Sequence, residues 1–192
     1  MGEYYRFDTW TPEIDEKVRA LMARMTLEEK VGQMVQSVRT PDVHERVRAG
    51  QVGSILSLPD RFEVNRLQRT AVEESRLGIP LIVGFDVIHG HNTIFPIPLA
   101  EACTWNPELL EEAARIAASE AAVCGIDWIF APMVDICRDP RWGRIAEGAG
   151  EDPFLGSAMA RARVRGFQAV GLPGGKKITA CPKHYVAYGA AE

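Results

Sequence analysis

No stretch of this chain approaches the ~20 consecutive apolar residues of a membrane-spanning helix, and Met1-Gly2-Glu3-Tyr4-Tyr5 lacks the pattern of a secretory leader. No membrane partner is expected. The cytoplasm is the expected compartment of the chain as given, with a periplasmic or secreted location open for a longer natural parent. Positive charge is scarce: 22 Lys and Arg face 26 Asp and Glu, for a net charge of −4. A surface seeking nucleic-acid phosphates is therefore not indicated. The densest basic group, Arg161, Arg163 and Arg165, falls on a predicted helix and reads as a solvated face. The four cysteines, Cys103, Cys124, Cys137 and Cys181, lie far apart without metal-ligand or redox spacing and read as small buried thiols. His89-Gly90-His91 has no helix-spaced carboxylate beside it, so no metal site is expected. No G-x-G-x-x-G follows any apolar run, which removes the main support for dinucleotide binding. No low-complexity linker divides the chain.

What is present is enough apolar matter, 46% of 192 residues, to bury a core as one domain over residues 1–192. Thr11-Pro12 is an N-cap with proline at the first helical position, and Glu13 to Met25 carries helix-spaced apolar residues. Thr26-Leu27-Glu28-Glu29 is a capping box opening a second short helix through about Gln36. These leading helices occupy 1–36, and residues 50–192 read as βα units. Strands are predicted at Val52 to Leu58, Leu81 to Phe85, Trp128 to Val134 and from Ile178 to Cys181. Helices are predicted at Asp60 to Arg76, Glu108 to Cys124 behind Asn106-Pro107, and Phe154 to Val170 behind Asp152-Pro153. Each strand is a continuous apolar run, which suits parallel strands covered by helices.

The class is therefore α/β. A doubly wound sheet and part of a (β/α)8 barrel are the two candidate architectures. Polar clusters at successive strand ends favour the barrel, whose sites gather on that face. A barrel typically takes ~250 residues. With about four parallel strands, the chain reads as a partial (TIM-type) barrel preceded by two short helices.

Three polar clusters follow apolar runs. Ala131 to Pro153 crowds Asp135, Arg138, Asp139, Arg141, Arg144, Glu147, Glu151 and Asp152 into a glycine-punctuated connection. Gly84-Phe85-Asp86-Val87-Ile88-His89-Gly90 is the second, and Cys181-Pro182-Lys183-His184-Tyr185 the third. Unpaired buried charge is costly, so charge massed at strand ends points to a ligand rather than a core. Charged side chains give strong, directional hydrogen bonds to a neutral polyol, which offers donors and acceptors but no charge. For Asp139 and Arg141 the simpler reading is an ion pair pinning their loop.

Together these segments resemble glycoside hydrolase family 3, in its β-glucosidase branch. The resemblance is carried by Glu29-Lys30-Val31-Gly32-Gln33-Met34, Gly84 to Gly90, Phe95-Pro96-Ile97-Pro98-Leu99, Ala131 to Asp135, Arg138 to Arg144, Gly150-Glu151-Asp152-Pro153, and Lys183-His184-Tyr185 to Tyr188-Gly189. It runs from about Met25 to the C-terminus. It implies a (β/α)8-type domain holding the terminal sugar of a β-glucoside, with Asp86, Arg144, Lys183 and His184 on the sugar hydroxyls and no cofactor. His89, Trp142 and Glu147 are secondary candidates, Trp142 as a stacking platform or as an anchor for its loop. Asp86, where β-xylosidase relatives tend to carry glutamate, favours a hexose over a pentose. No histidine follows Lys183-His184 in the way N-acetylglucosamine-cutting relatives place one.

Retaining glycosidases need a nucleophilic carboxylate and an acid/base about 5–5.5 Å apart. The resemblance places the nucleophile on a later strand and the acid/base later still, so neither catalytic residue is expected in this chain and the isolated chain is expected to be inactive. A partial parallel barrel exposes strand edges, so a homodimer or higher homo-oligomer is expected. Besides the N-terminal portion of a retaining β-glucosidase, two readings stay open: a self-associating, non-catalytic half-barrel, and a sugar-binding module.

Overall fold

The computed structural model describes residues 11–171, 178–186 and 188–189; Met1 to Tyr5 and Ala187 lie outside them. Helix α1, Pro12–Arg24, starts where Thr11 Oγ1 accepts from the Ile14 amide. Helix α2, Leu27–Gln33, opens with the capping box, Thr26 and Glu29 each satisfying the other's backbone N–H. The chain then alternates: β1 Gln36–Ser37, α3 Val43–Arg48, β2 Ser54–Leu56, α4 Arg61–Arg69 running into a π-helical turn Thr70–Glu74, and β3 Ile82–Phe85. It continues through α5 Pro98–Ala102, α6 Pro107–Val123, β4 Trp128–Ile129, a 3-10 turn Ile145–Glu147, α7 Pro153–Gln168 and β5 Thr179–Ala180. Asn106 and Asp152 cap α6 and α7 with their side chains, each followed by proline as its sequence suggested.

All five strands are parallel and lie in chain order, β1-β2-β3-β4-β5. A doubly wound sheet reverses its order at a switch point; this one never does, so it has the winding of consecutive barrel units. The strand count of about four is corrected to five. The added strand, β1, falls where the second helix was expected to reach Gln36; that helix stops at Gln33. Strands of two to four residues are too short to carry a periodic signature, so β1 has no counterpart among the expected strands, and β2 and β4 are shorter than the apolar runs that predict them. Helices α3 and α5, of 6 and 5 residues, are likewise too short to show a helical period in sequence.

The register puts Ile55 beside Val83, and Phe85 beside Ile129 beside Ala180. Ile55, Val83 and Ile129 are essentially inaccessible and join a core with Leu67, Ala117, Ala118, Ala121 and Phe167 from the covering helices and Ile178 just before β5. On the other face Leu56 and Trp128 are half-buried and Thr179 is exposed, with Gly84 buried between its neighbours, and Ile82 is 51% exposed. A Cβ at Gly84 would overlap the Phe130 ring, which packs on Trp128 with centroids 4.5 Å apart, so any larger residue there would displace that ring.

Two expectations fail on packing. Arg163 is buried, 6% exposed, rather than part of a solvated face; Arg161 and Arg165 are exposed. Of the four cysteines only Cys137 is buried, Cys103 being exposed and Cys124 and Cys181 intermediate. Among the described residues no helix is long and apolar enough to cross a membrane.

Candidate functional site

Asp86 follows the last residue of β3, so its side chain stands at the C-terminal edge of the sheet. Beyond β4 and β5 the backbones stay paired: Cys181 N–H donates to Ala131 O at 3.0 Å, Lys183 N–H to Pro132 O at 3.0 Å, and Val134 N–H to Lys183 O at 2.7 Å. That extension carries Lys183 to the same edge, where its Nζ donates to Asp86 Oδ1 at 2.8 Å. The lysine side chain is 14% exposed and the aspartate 46%. A mostly buried ammonium needs a carboxylate to offset its desolvation, and the half-open carboxylate keeps lone pairs for a ligand.

The next residue points elsewhere. The Lys183–His184 peptide bond is cis, and His184 Nδ1 lies 2.9 Å from Oδ2 of Asp135, whose carboxylate also accepts from the His184 backbone N–H. Asp135 is nearly inaccessible at 3%. The residue thus fixes the imidazole by two routes at once.

Arg144 and Glu147 bracket the 3-10 turn and form a two-pronged ion pair, Nε to Oε1 and Nη2 to Oε2, each 2.6 Å. The bond from Arg144 holds the Glu147 carboxyl below the usual range, against the opposing effect of burial. The same bond pushes the guanidinium up. Tyr188 ties the two groups together: its ring lies 5.5 Å from Arg144 Cζ, 4.8 Å from the His184 ring and 5.5 Å from the Trp142 ring. Trp142 also crowds Gly189, where a Cβ would come 3.0 Å from its ring.

Asp86, His89, Arg144 and Glu147 line one cavity of about 640 Å³, with Phe85, Ile97 and Pro98 among its apolar walls. His184 lines a second, of about 360 Å³, with Asp135, Arg138 and Tyr188. His89 Nδ1 is committed to Phe95 O at 2.9 Å, and Phe95 N–H returns a bond to His89 O at 2.8 Å, closing the loop behind Asp86. The arrangement sets carboxylate acceptors (Asp86, Glu147) and a cationic donor (Arg144) around space for a small polar molecule without a strong net charge, while Lys183 lines neither cavity and acts through its bond to Asp86. Asp139 accepts from Arg141 N–H and Nε at 2.8 and 2.9 Å, a clasp within their own loop. Among the described residues no group of three or more His, Cys, Asp or Glu could hold a metal ion. Arg163 and Glu101, which sequence reasoning did not single out as a pair, meet beneath this region.

Residues 26–192 match the profile of the glycosyl hydrolase family 3 N terminal domain. The chain belongs to glycosyl hydrolase family 3. It is 39% identical over 188 residues to a periplasmic beta-glucosidase of Salmonella typhimurium, covering 95% of this chain and 25% of that protein. A beta-xylosidase of Formosa agariphila is 32% identical over 92% of this chain and 21% of its own length. The crystal structure of beta-glucosidase from Listeria innocua in complex with glucose superposes with a TM-score of 0.83 at 37% identity, over 92% of this chain and 27% of that one. This family 3 chain thus spans about a quarter of the length of the relatives it matches.

Proposed function

We propose that this family 3 domain supplies the hydroxyl-gripping part of a site for terminal β-D-glucosyl residues, serving a retaining β-glucosidase. The observation that carries the reading is the convergence of Asp86, paired with Lys183, and Arg144, paired with Glu147, at one cavity large enough for a sugar ring. Charge-assisted hydrogen bonds from such pairs orient a neutral polyol. The glucose bound by the Listeria innocua relative supports a hexose, and in this reading Asp86 carries that preference.

The chemical step asks for more. A general acid needs a raised pKa, and Glu147 is held low by Arg144. Asp86 is engaged with Lys183 and Asp135 with His184. In this reading neither the nucleophile nor the acid/base is one of these carboxylates, and the chain alone binds without turning over. The test is glucose binding by titration calorimetry, with loss on Asp86→Ala, run beside hydrolysis of an aryl β-glucoside with Arg144→Ala as the contamination control. Turnover in the parent that vanishes in the variant would overturn the non-catalytic part; no binding by the parent would overturn the sugar site.

One feature favours a second, compatible reading as a self-associating unit. Helix α1 buries no residue, and Met22, Leu27, Val31, Met34 and Val38 along the leading segment are exposed, apolar surface that association would cover.

A further inference from the structure

The buried arginine that composition assigned to the solvent has a specific post. Arg163 Nη1 donates to the backbone carbonyl of Ile88 at 2.6 Å, while Nη2 pairs with the Glu101 carboxylate on α5. Both side chains are 7% exposed. One guanidinium therefore joins α7, α5 and the loop that begins with Asp86. A planar fork can serve a carbonyl and a carboxylate together; an ammonium lacks that geometry.

The loop it holds is otherwise compact. Val87 is fully buried, Gly90 sits at φ 118° and bridges Ile94, and His89 and Phe95 exchange the two bonds described above. Its far end is tied to α6, where the Glu120 carboxylate accepts from the Asn92 and Thr93 backbone N–H groups and the Thr93 hydroxyl; the Arg163 bond holds its near end, at Ile88, two residues from Asp86. On its other side α5 packs against the turn Ile145–Glu147, so the Glu101 end of the pair abuts the segment that presents Arg144 and Glu147. A buried ion pair is a poor source of net stability compared with apolar side chains of similar volume, which leaves its geometry as what it contributes.

We propose that Glu101 and Arg163 are positioning residues for the sugar site, setting Asp86 through the Ile88 carbonyl and registering that loop against the Arg144 turn. The proposal rests on the glucosyl reading of the cavity for its functional consequence, but its structural claim stands apart from it. The decisive variant is the double replacement Glu101→Leu with Arg163→Met, which keeps the volume apolar and leaves no orphan charge. It is expected to retain the parent's melting temperature, to weaken glucose binding at least about tenfold as Asp86 loses its place, and to speed amide hydrogen exchange in residues 86–95 while core peptides from α6 stay protected. Arg161→Met, exposed on the same helix, is expected to change none of these. Parent-like exchange in 86–95 together with parent-like glucose affinity would overturn the proposal. If the parent itself does not bind glucose, the sugar reading falls and the exchange data alone decide whether the pair holds the loop. Should the double variant not fold, Arg163→Lys gives the same reading, since it preserves a charge for Glu101 but cannot span to Ile88; unchanged exchange in that variant would equally overturn the claim.

Discussion

Lys183 and Asp86, 97 positions apart in the chain, meet with Nζ 2.8 Å from Oδ1. The register of β4 and β5 with β3 makes this possible, because it delivers both residues to one edge of the sheet. Removing the ammonium should free Asp86 to rotate and leave its charge uncompensated. Lys183→Met is therefore expected to weaken glucose binding by roughly tenfold or more, about the worth of one charge-assisted hydrogen bond. Titration calorimetry against the parent is the check, and unchanged affinity would remove Lys183 from the site.

The Arg144–Glu147 pair makes a pH prediction. Glu147 has a depressed folded-state pKa because of Arg144, so the folded state binds fewer protons than the unfolded one near that range. The pair's contribution is present above the unfolded glutamate pKa of about 4.3 and lost as pH falls through the lower folded value. For this partly exposed pair, about 1 kcal/mol is expected. Urea unfolding of the parent and of Glu147→Gln should differ at pH 7, and the gap should close as the pH drops below about 4. A gap that persists in acid would mean that the glutamate acts through packing rather than charge.

Helices α6 and α7 approach closely at Gly166, where an added Cβ would strike Glu111 O and come 2.7 Å from Ala114 Cβ. Both neighbours belong to a helix and cannot swing away. Gly166→Ala should therefore destabilise the fold by about 1–3 kcal/mol, as overpacking does, even though alanine has the better helix propensity. A thermal melt equal to or above the parent's would contradict the contact.

Self-association is the fourth expectation. Strand β1 pairs only with β2 and β5 only with β4 among the described residues, leaving an outer edge on each. Parallel edges of this kind readily accept another strand. Light scattering should show mass rising with concentration; a monomer throughout the range would refute it.

Much of the local structure was legible in the sequence because its causes are local. Thr11, Thr26, Asn106 and Asp152 each satisfy an amide within three residues, so the helix starts are visible in a window of a few letters. The polar clusters at strand ends were visible too, since no apolar core would tolerate them unpaired. Tertiary structure decided the rest. Arg161, Arg163 and Arg165 look alike in sequence, yet only Arg163 meets Glu101 and the Ile88 carbonyl, partners 62 and 75 positions away. Strand β1, two residues long, exists because β2 offers it a hydrogen-bonding edge, a cause that no short window contains. Sequence alone determined which chemistry the chain carries and where its helices begin. The sheet register determined which of those groups face one another, because contacts across tens of residues depend on how the strands align rather than on neighbouring letters.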